Sequence, residues 1–218
     1  MLKIYDKIKL LDIEVKQIEN WKFPIEATHI RVFLPSDSQN EIIMQKKGFF
    51  LCDRTLKVSV PLLKYKSIDK INHLSIVQTY ENKEDILKIA LSSFNDDRRF
   101  FVTPDCNKNV ADMIIKELVE QLGPTLVCLF RNKVIGFCSL VQTSESSLFA
   151  NLVAVEEKYR MTGAAISLYN SACMFAKNQG FKKLEGKISS KNTDVMNIYA
   201  SLGGSFYDPQ DIFIREMS

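Results

Sequence analysis

Apolar residues recur at helical spacing in two central stretches of the chain. In NKNVADMIIKELVEQLG, Val110, Ile114, Leu118 and Leu122 stand four apart, the single-face stripe of an amphipathic helix. Asn107 or Asn109 can cap its start, and Gly123 its end. NKEDILKIALSSFNDD upstream carries the same period. Around these helices the pattern shortens to β-rich runs. HLSIVQTY predicts a strand, PTLVCLFRNKVIGFCSLV two strands joined by a turn at Asn132-Lys133, and SSLFANLVAV a third strand from about Leu148 to Val155. YRMTGAAISLYNSACMFAKNQGF then predicts a turn and a helix ending near Gly180. KKLEGKIS predicts a strand, NTDVMNIYASLGG a short helix opened by Asn192 or Thr193, and FYDPQDIFIRE a last strand. The order β–β–β–α–β–α–β describes a mixed sheet with helices packed on it, an α/β (α+β) fold.

The N-terminal third repeats part of this order. HIRVFLPSDSQNEIIMQKKGFFLCDRTLKVSVPL reads as strand, polar turn, short helix, glycine and strand, as does KLEGKISSKNTDVMNIYASLGGSFYDPQDIFIRE. Placing Gly48 on Gly203 also brings Asp53 onto Asp208 and Ile43 onto Ile198. Two readings stand: a degenerate half-repeat of the last β–α–β unit, or a small unrelated N-terminal subdomain. Both put a boundary between Asp69 and Asn72, giving an N-terminal β–α–β subdomain over 1–72 and a second domain over 73–218.

Composition narrows the class only modestly. The chain has 218 residues, 46% hydrophobic and 25% charged, with a net charge of +3, enough apolar material for an ordinary core. Basic and acidic residues are interleaved, which argues against nucleic-acid or membrane partners. Cys52, Cys106, Cys128, Cys138 and Cys173 form no CxxC pair, the usage of reduced thiols rather than a disulfide framework or zinc site. The opening MLKIYDKIKLLDIEVKQIENW is broken by charges and does not read as a signal peptide. No apolar run approaches the ~18 residues of a membrane span. A cytoplasmic location is expected.

The turn Arg160-Met161-Thr162-Gly163-Ala164-Ala165 admits two readings. One is a tight turn into a small-residue helix that packs closely on a sheet. The other is an anion cradle, since a helix N-terminus presents unpaired N–H donors and about half a positive charge. With the strand before it and the helix after it, the Arg-x-x-Gly-x-Ala stretch resembles the acyl-CoA-binding motif of the GCN5-related N-acetyltransferases (GNAT), whose pattern is Arg or Gln-x-x-Gly-x-Gly or Ala. The resemblance implies a GNAT fold, with splayed strands forming an acyl-CoA groove, and acetyl-CoA as co-substrate without a metal. It places the diphosphate on the main chain of 160–165 and the pantetheine arm along Leu152, Val153, Ala154 and Val155.

The same resemblance extends to NTDVMNIYASLGGSF. Asn192 and Tyr199 match the Asn that opens this segment in the superfamily and the Tyr that follows on the helix, implying a cofactor contact for Asn192 and a general-acid role for Tyr199. A phenol of pKa ~10 can protonate a thiolate whose parent thiol lies near ~8.5. Read from the residues alone, Tyr199 is equally an aromatic packed with Val195, Ile198 and Leu202. Met44 takes the matching place in the N-terminal copy and has no proton to give. His29 and His73 both lie far upstream, so Glu156 or Glu157 ordering a water is the candidate base.

The extra N-terminal segment and the stretch SSFNDDRRFFVTPD resemble the dTDP-fucosamine acetyltransferase-like aminosugar N-acetyltransferases, which carry S-F-x-x-x-R-F ahead of the second helix. Ser93, Phe94, Arg98 or Arg99, and Phe100 match it. This implies a small-molecule amine acceptor, a nucleotide-linked 4-amino deoxysugar of surface-polysaccharide synthesis. Arg98 or Arg99 would meet its diphosphate and Phe100 or Phe101 its sugar. A possible homodimer follows by the same analogy. The alternatives are a GNAT acting on a protein N-terminus, a polyamine or an antibiotic amine, or a non-catalytic acyl-CoA-binding module.

Overall fold

A computed structural model describes residues 2–5, 8–15, 26–69, 71–94 and 108–217. Ten strands form one sheet: β1 (Leu2–Tyr5), β2 (Ile8–Glu14), β3 (His29–Pro35), β4 (Phe50–Pro61), β5 (Ser75–Thr79), β6 (Thr125–Phe130), β7 (Lys133–Ser144), β8 (Ser147–Val155), β9 (Lys183–Ser189) and β10 (Ser205–Glu216). The helices are α1 (Ser38–Lys46), α2 (Lys83–Ser93), α3 (Lys108–Glu120), α4 (Ala164–Asn178) and α5 (Thr193–Ser201). The strand order is β1-β2-β3-β10-β4-β9-β8-β7-β6-β5. The mixed α/β class expected from the element order is the one observed.

Each face is covered by helices whose spacing shows in the sequence. Val110, Ala111, Ile114, Ile115 and Val119 put α3, beside α2, onto one face. Ala164, Leu168, Ala172 and Ala176 of α4 are wholly buried on the other face, where α5 adds Tyr199. Burying one such side chain as large as Leu168 contributes about 2 kcal/mol, and the alanines between let α4 lie close to the sheet. A third cluster seats α1 on β3 and β10 through Met44, Phe49, Val32 and Phe213.

Three features depart from the reading of the sequence. The β6–β7 turn is Arg131-Asn132, not Asn132-Lys133. Both residues have positive φ, 49° and 61°, as a two-residue turn matching strand twist requires. The charge-broken start of the chain forms β1 and β2, for which no strands were expected. Strand β4, from the N-terminal segment, stands between β10 and β9 in the one continuous sheet. The sheet also curls, so that β1 meets α3: Lys3 Nζ and Tyr5 Oη both donate to Glu117, at 3.0 and 2.6 Å. No helix among the described residues is long and apolar enough to cross a membrane.

Candidate active site

The sheet opens between β8 and β9. These parallel strands pair only from Ser147↔Lys183 to Ala150↔Gly186. Beyond that point β8 stays with β7 up to Gly136↔Val155, and β9 stays with β4 up to Thr55↔Ser189. The result is a V-shaped notch whose apex lies at Ala150 and Gly186. A bulge marks the same level, because Ser139 pairs Leu152 while Leu140 pairs Ala150, leaving Asn151 as the extra residue. The buried Ser139 hydroxyl accepts the Leu152 N–H at 3.1 Å.

Main-chain direction along β8 follows from these partners. Leu152 N–H goes to Ser139, Glu156 N–H goes to the Ile135 carbonyl at 2.8 Å, and the Ala154 carbonyl lies against Gly136 of β7. By the period-two alternation of a strand, Val153 and Val155 therefore turn their main chain toward the notch. The main-chain groups of Leu152 and Ala154, which the resemblance also placed along the arm, serve the β7 side. The Val155 carbonyl accepts from Ser93 Oγ at 3.3 Å and from Arg160 Nε at 3.4 Å.

At the end of β8 a short 3-10 turn, Glu157–Thr162, leads to Gly163, the N-cap of α4, with φ +82° and no side-chain cap. The first intrahelical bond is Ser167 N–H to the Gly163 carbonyl, 3.0 Å. The N–H groups of Ala164, Ala165 and Ile166 precede it and have no carbonyl four residues back within the helix. This is the donor set that an anion needs, at the open end of the notch. Arg160 and Met161 are exposed, Thr162, Gly163 and Ala165 half-buried. Ala164 is fully buried, so its small side chain serves the packing of α4. Ile71 lies directly over Gly163, where a Cβ would collide with it.

Tyr199 reaches the apex from α5. Asn192 caps that helix by accepting the Val195 N–H at 3.2 Å, so its Oδ1 is held in the cap. The Tyr199 ring is 1% exposed, lies 4.7 Å from the Tyr169 ring, and sets its hydroxyl against Gly186 so closely that no Cβ fits there. Burial, then Tyr169 and the Cys138 and Cys173 thiols, pushes the phenol pKa well above its usual value. The phenol is therefore neutral and holds its proton at the last paired rung of the notch. Burial likewise raises Cys128 to about 11 and Cys173 to about 12, so these thiols are unreactive. Glu156 is drawn to Lys133 and Lys158, at 3.1 and 3.0 Å. Burial alone would raise its pKa, but those two ammonium groups hold it low, and it is engaged away from the apex.

On the opposite face, inside the curl of the sheet, lies a cavity of about 410 Å³ that reaches the notch at Asn151, Leu152 and Lys187. Its apolar walls include Leu10, Phe33, Ile114 and Ile212, and its charged lining is Lys3, Asp12, Arg31 and Lys187. None of Asn151, Arg31 or Lys187 stood out in the sequence. The one local signal was a polar side chain set between buried neighbours in a strand. Arg98, Arg99, Phe100 and Phe101 lie outside the described residues. The flanking Ser93 is beside the end of β8.

The profile described as "Acetyltransferase (GNAT) family" matches residues 85–203, over half of the chain. No curated protein sequence matches it. Among solved structures, a conserved protein of unknown function from Staphylococcus epidermidis is 12% identical, with TM-score 0.64, over 88% of this chain and 74% of that one. A GCN5-related N-acetyltransferase from Sphaerobacter thermophilus is 13% identical, with TM-score 0.60, over 86% of this chain and 59% of its own. A tandem GNAT protein from the clavulanic acid biosynthesis pathway is 11% identical, with TM-score 0.57, over 88% and 65%. The chain thus spans less than two thirds of the last two. At such identities the likeness is one of fold, and none of the three descriptions names an aminosugar nucleotide.

Proposed function

The chain belongs to the acetyltransferase (GNAT) family, and on that premise we propose that it transfers the acetyl group of acetyl-CoA to a primary amine, with Tyr199 as the general acid. The observation that carries the proposal is the meeting of three features at one notch. These are an uncapped helix mouth at Gly163, main-chain groups of Val153 and Val155 turned outward, and a neutral phenol at the apex. The residues present suit acetyl-CoA: N–H groups of Ala164–Ile166 for the diphosphate, with Arg160 beside them, and the β8 edge for the extended arm.

Bound acetyl-CoA supplies an activated acetyl group as a thioester. The N–H groups of Val153 and Val155 border the notch where its carbonyl oxygen gains charge. As the amine nitrogen bonds to the carbonyl carbon and the C–S bond breaks, Tyr199 Oη gives its proton to the departing sulfur. The proton that the nitrogen loses restores the phenol. A dry apex raises both partners in this exchange. The phenol is pushed up, but the nearby Cys173 thiol rises to about 12 by the same desolvation, so a thiolate formed there is a stronger base than in water. Replacing Tyr199 by Phe should lower kcat by about 10²–10⁴-fold and leave acetyl-CoA affinity by calorimetry within about two-fold of wild type. A variant with unchanged kcat removes Tyr199 from the mechanism, and acetyl-CoA binding without thiol release from any amine reduces the chain to a binding module. A nucleotide-linked 4-amino sugar remains the acceptor that the 93–101 stretch favours, and dTDP- and UDP-4-amino sugars belong in that assay.

We also propose that β3–α1–β4 is a half-repeat of β9–α5–β10. Exchanging the two units turns the central order β3-β10-β4-β9 into its own reverse. Gly48 and Gly203 follow their helices with φ of +77° and +84°, and Met44 and Tyr199 are buried alike.

A further inference from the structure

The chain between β4 and β5, described over 62–69 and 71–74, is fastened to α4 along its way. It starts at the buried Leu62, whose N–H goes to the Lys182 carbonyl at 2.9 Å, in the turn that follows α4. At mid-helix the buried Asn170 grips it. Asn170 Oδ1 accepts from the Tyr65 hydroxyl and from the Ile68 N–H, the latter at 2.9 Å, and Nδ2 donates to the Ile68 carbonyl at 3.3 Å. The side-chain amide thus pairs both backbone groups of Ile68, as a neighbouring strand would. Breaking either bond leaves a buried polar group unsatisfied, which fixes the clasp in one orientation. Tyr65, Ile68 and Leu74 pack against the same core cluster as α4. Three residues beyond Ile68, the Cδ1 of Ile71 fills the space beside Gly163 in which a Cβ would stand.

Gly163 needs such a neighbour. It holds φ +82° at the N-cap of α4 with no side-chain cap, and Thr162 turns its hydroxyl back to the Tyr159 carbonyl at 2.7 Å. Glycine has more backbone freedom to lose than any other residue. The N–H groups of 164–166 converge on an anion only while Gly163 is held. We infer that Ile71 is a positioning residue of the cofactor site, kept over Gly163 by the Asn170 clasp, so that the β4–β5 connection pre-sets the helix mouth for a diphosphate. This rests on the acetyl-CoA reading and deepens it, because the donor geometry then depends on residues far outside the stretch 160–165. Without the Ile71 side chain the mouth becomes ordered only as the ligand binds, and that ordering is subtracted from the affinity. Neither Ile71 nor Asn170 meets the acetyl group, so the effect falls on binding.

The test uses the full chain, calorimetry with acetyl-CoA, and amide hydrogen exchange without ligand. Ile71→Ala should weaken acetyl-CoA binding by about five-fold or more, the scale of fixing one residue's backbone. It should also speed exchange of the Ser167 N–H, which bonds the Gly163 carbonyl at 3.0 Å. Ile71→Met, still long enough to reach Gly163, should retain the wild-type affinity. Asn170→Ala should weaken binding in the same direction. Combined with Ile71→Ala it should weaken binding by less than the product of the two effects, since both act through one contact. Met44→Ala, in the separate cluster under α1, should lower Tm and leave acetyl-CoA affinity within about two-fold of wild type, which separates a loosened mouth from lost stability. Unchanged or tighter binding in Ile71→Ala, a double variant at the full product, or an equal loss in Met44→Ala overturns the inference while wild-type binding still supports the acetyl-CoA reading. Absence of acetyl-CoA binding to the wild-type chain overturns both.

Discussion

A methyl group added at Gly186 tests the placement of Tyr199 directly. Its ideal position overlaps the Tyr199 hydroxyl oxygen, and lies 3.1 Å from Tyr199 Cζ and 3.2 Å from Val58 Cγ1. The last two contacts are relieved by shifts of a few tenths of an ångström, but the oxygen must move by about 1 Å. Tyr199 is packed on Tyr169 at 4.7 Å and is 1% exposed, so it has little room to yield. Gly186→Ala should therefore cost about 1–3 kcal/mol in urea unfolding, the range of an overpacked core. Tyr199→Phe alone should cost about 1 kcal/mol through the lost hydroxyl. In a chain that already carries Tyr199→Phe the severe overlap no longer exists. There Gly186→Ala should cost about 1 kcal/mol less than it does in wild type, a coupling well outside the ~0.5 kcal/mol of independent sites. Activity should follow the same geometry, since a 1 Å displacement of the proposed acid should lower kcat of Gly186→Ala by about 10²-fold. Additive stabilities within ~0.5 kcal/mol would refute the argument, because the phenol oxygen would not then lie against β9 at the apex of the notch.

Gly163→Ala forces a side chain onto φ +82° and into Ile71. It should lose about 1–3 kcal/mol by thermal or urea unfolding, with Ile71→Ala in the same chain recovering the steric part but not the backbone part. Asn170→Ala removes bonds to the Tyr65 hydroxyl and to the Ile68 N–H and carbonyl, the latter at 2.9 and 3.3 Å. A loss of about 1–3 kcal/mol and faster amide exchange at Ile68 should follow. Glu117 is held below the usual carboxyl range by the Tyr5 hydroxyl first and then by Lys3. Its contribution is complete above the unfolded pKa of about 4.3 and fades as pH falls through and below that value. Glu117→Gln should flatten the acid limb of the stability curve, and an unaltered limb would show that this tie between β1 and α3 carries no pH dependence.

Legibility in the sequence followed how local each feature is. The α3 stripe shows itself because Val110, Ile114 and Leu118 repeat within one element. The helix mouth shows itself because Arg160 to Ala165 are consecutive. β1 was missed because it is a four-residue edge strand, LKIY, too short to show a period, whose partner contacts to Glu117 lie over 110 positions away. The hairpin turn was displaced by one residue because Arg131 carries no turn signal, although its φ of 49° is as left-handed as that of Asn132. The cavity was illegible for a stronger reason. Asp12, Arg31, Phe33, Asn151 and Lys187 sit in four different strands, and only the curl of the sheet against α3 brings them around one space. No window of sequence contains that curl.

The proposed half-repeat sharpens the case for a chemical rather than structural Tyr199. Burial alone does not distinguish it, because Met44 on α1 is as deeply buried. The neighbouring strands do. In the C-terminal unit β8 runs five residues past its last pair with β9, from Asn151 to Val155, and the phenol stands where that opening begins. In the N-terminal unit the corresponding parallel pair is β2 with β3. There the ladder continues through Glu14↔Phe33, the last residue of β2, and Val15 N–H still bonds the Phe33 carbonyl at 3.1 Å. Among the described residues no notch opens beside Met44. Among the described residues, one unit thus has both a buried phenol and an opening in the sheet, and the other has neither. On the proposed half-repeat, Met44→Tyr would supply a phenol with no described groove beside it, so the proposed site belongs to the C-terminal unit alone.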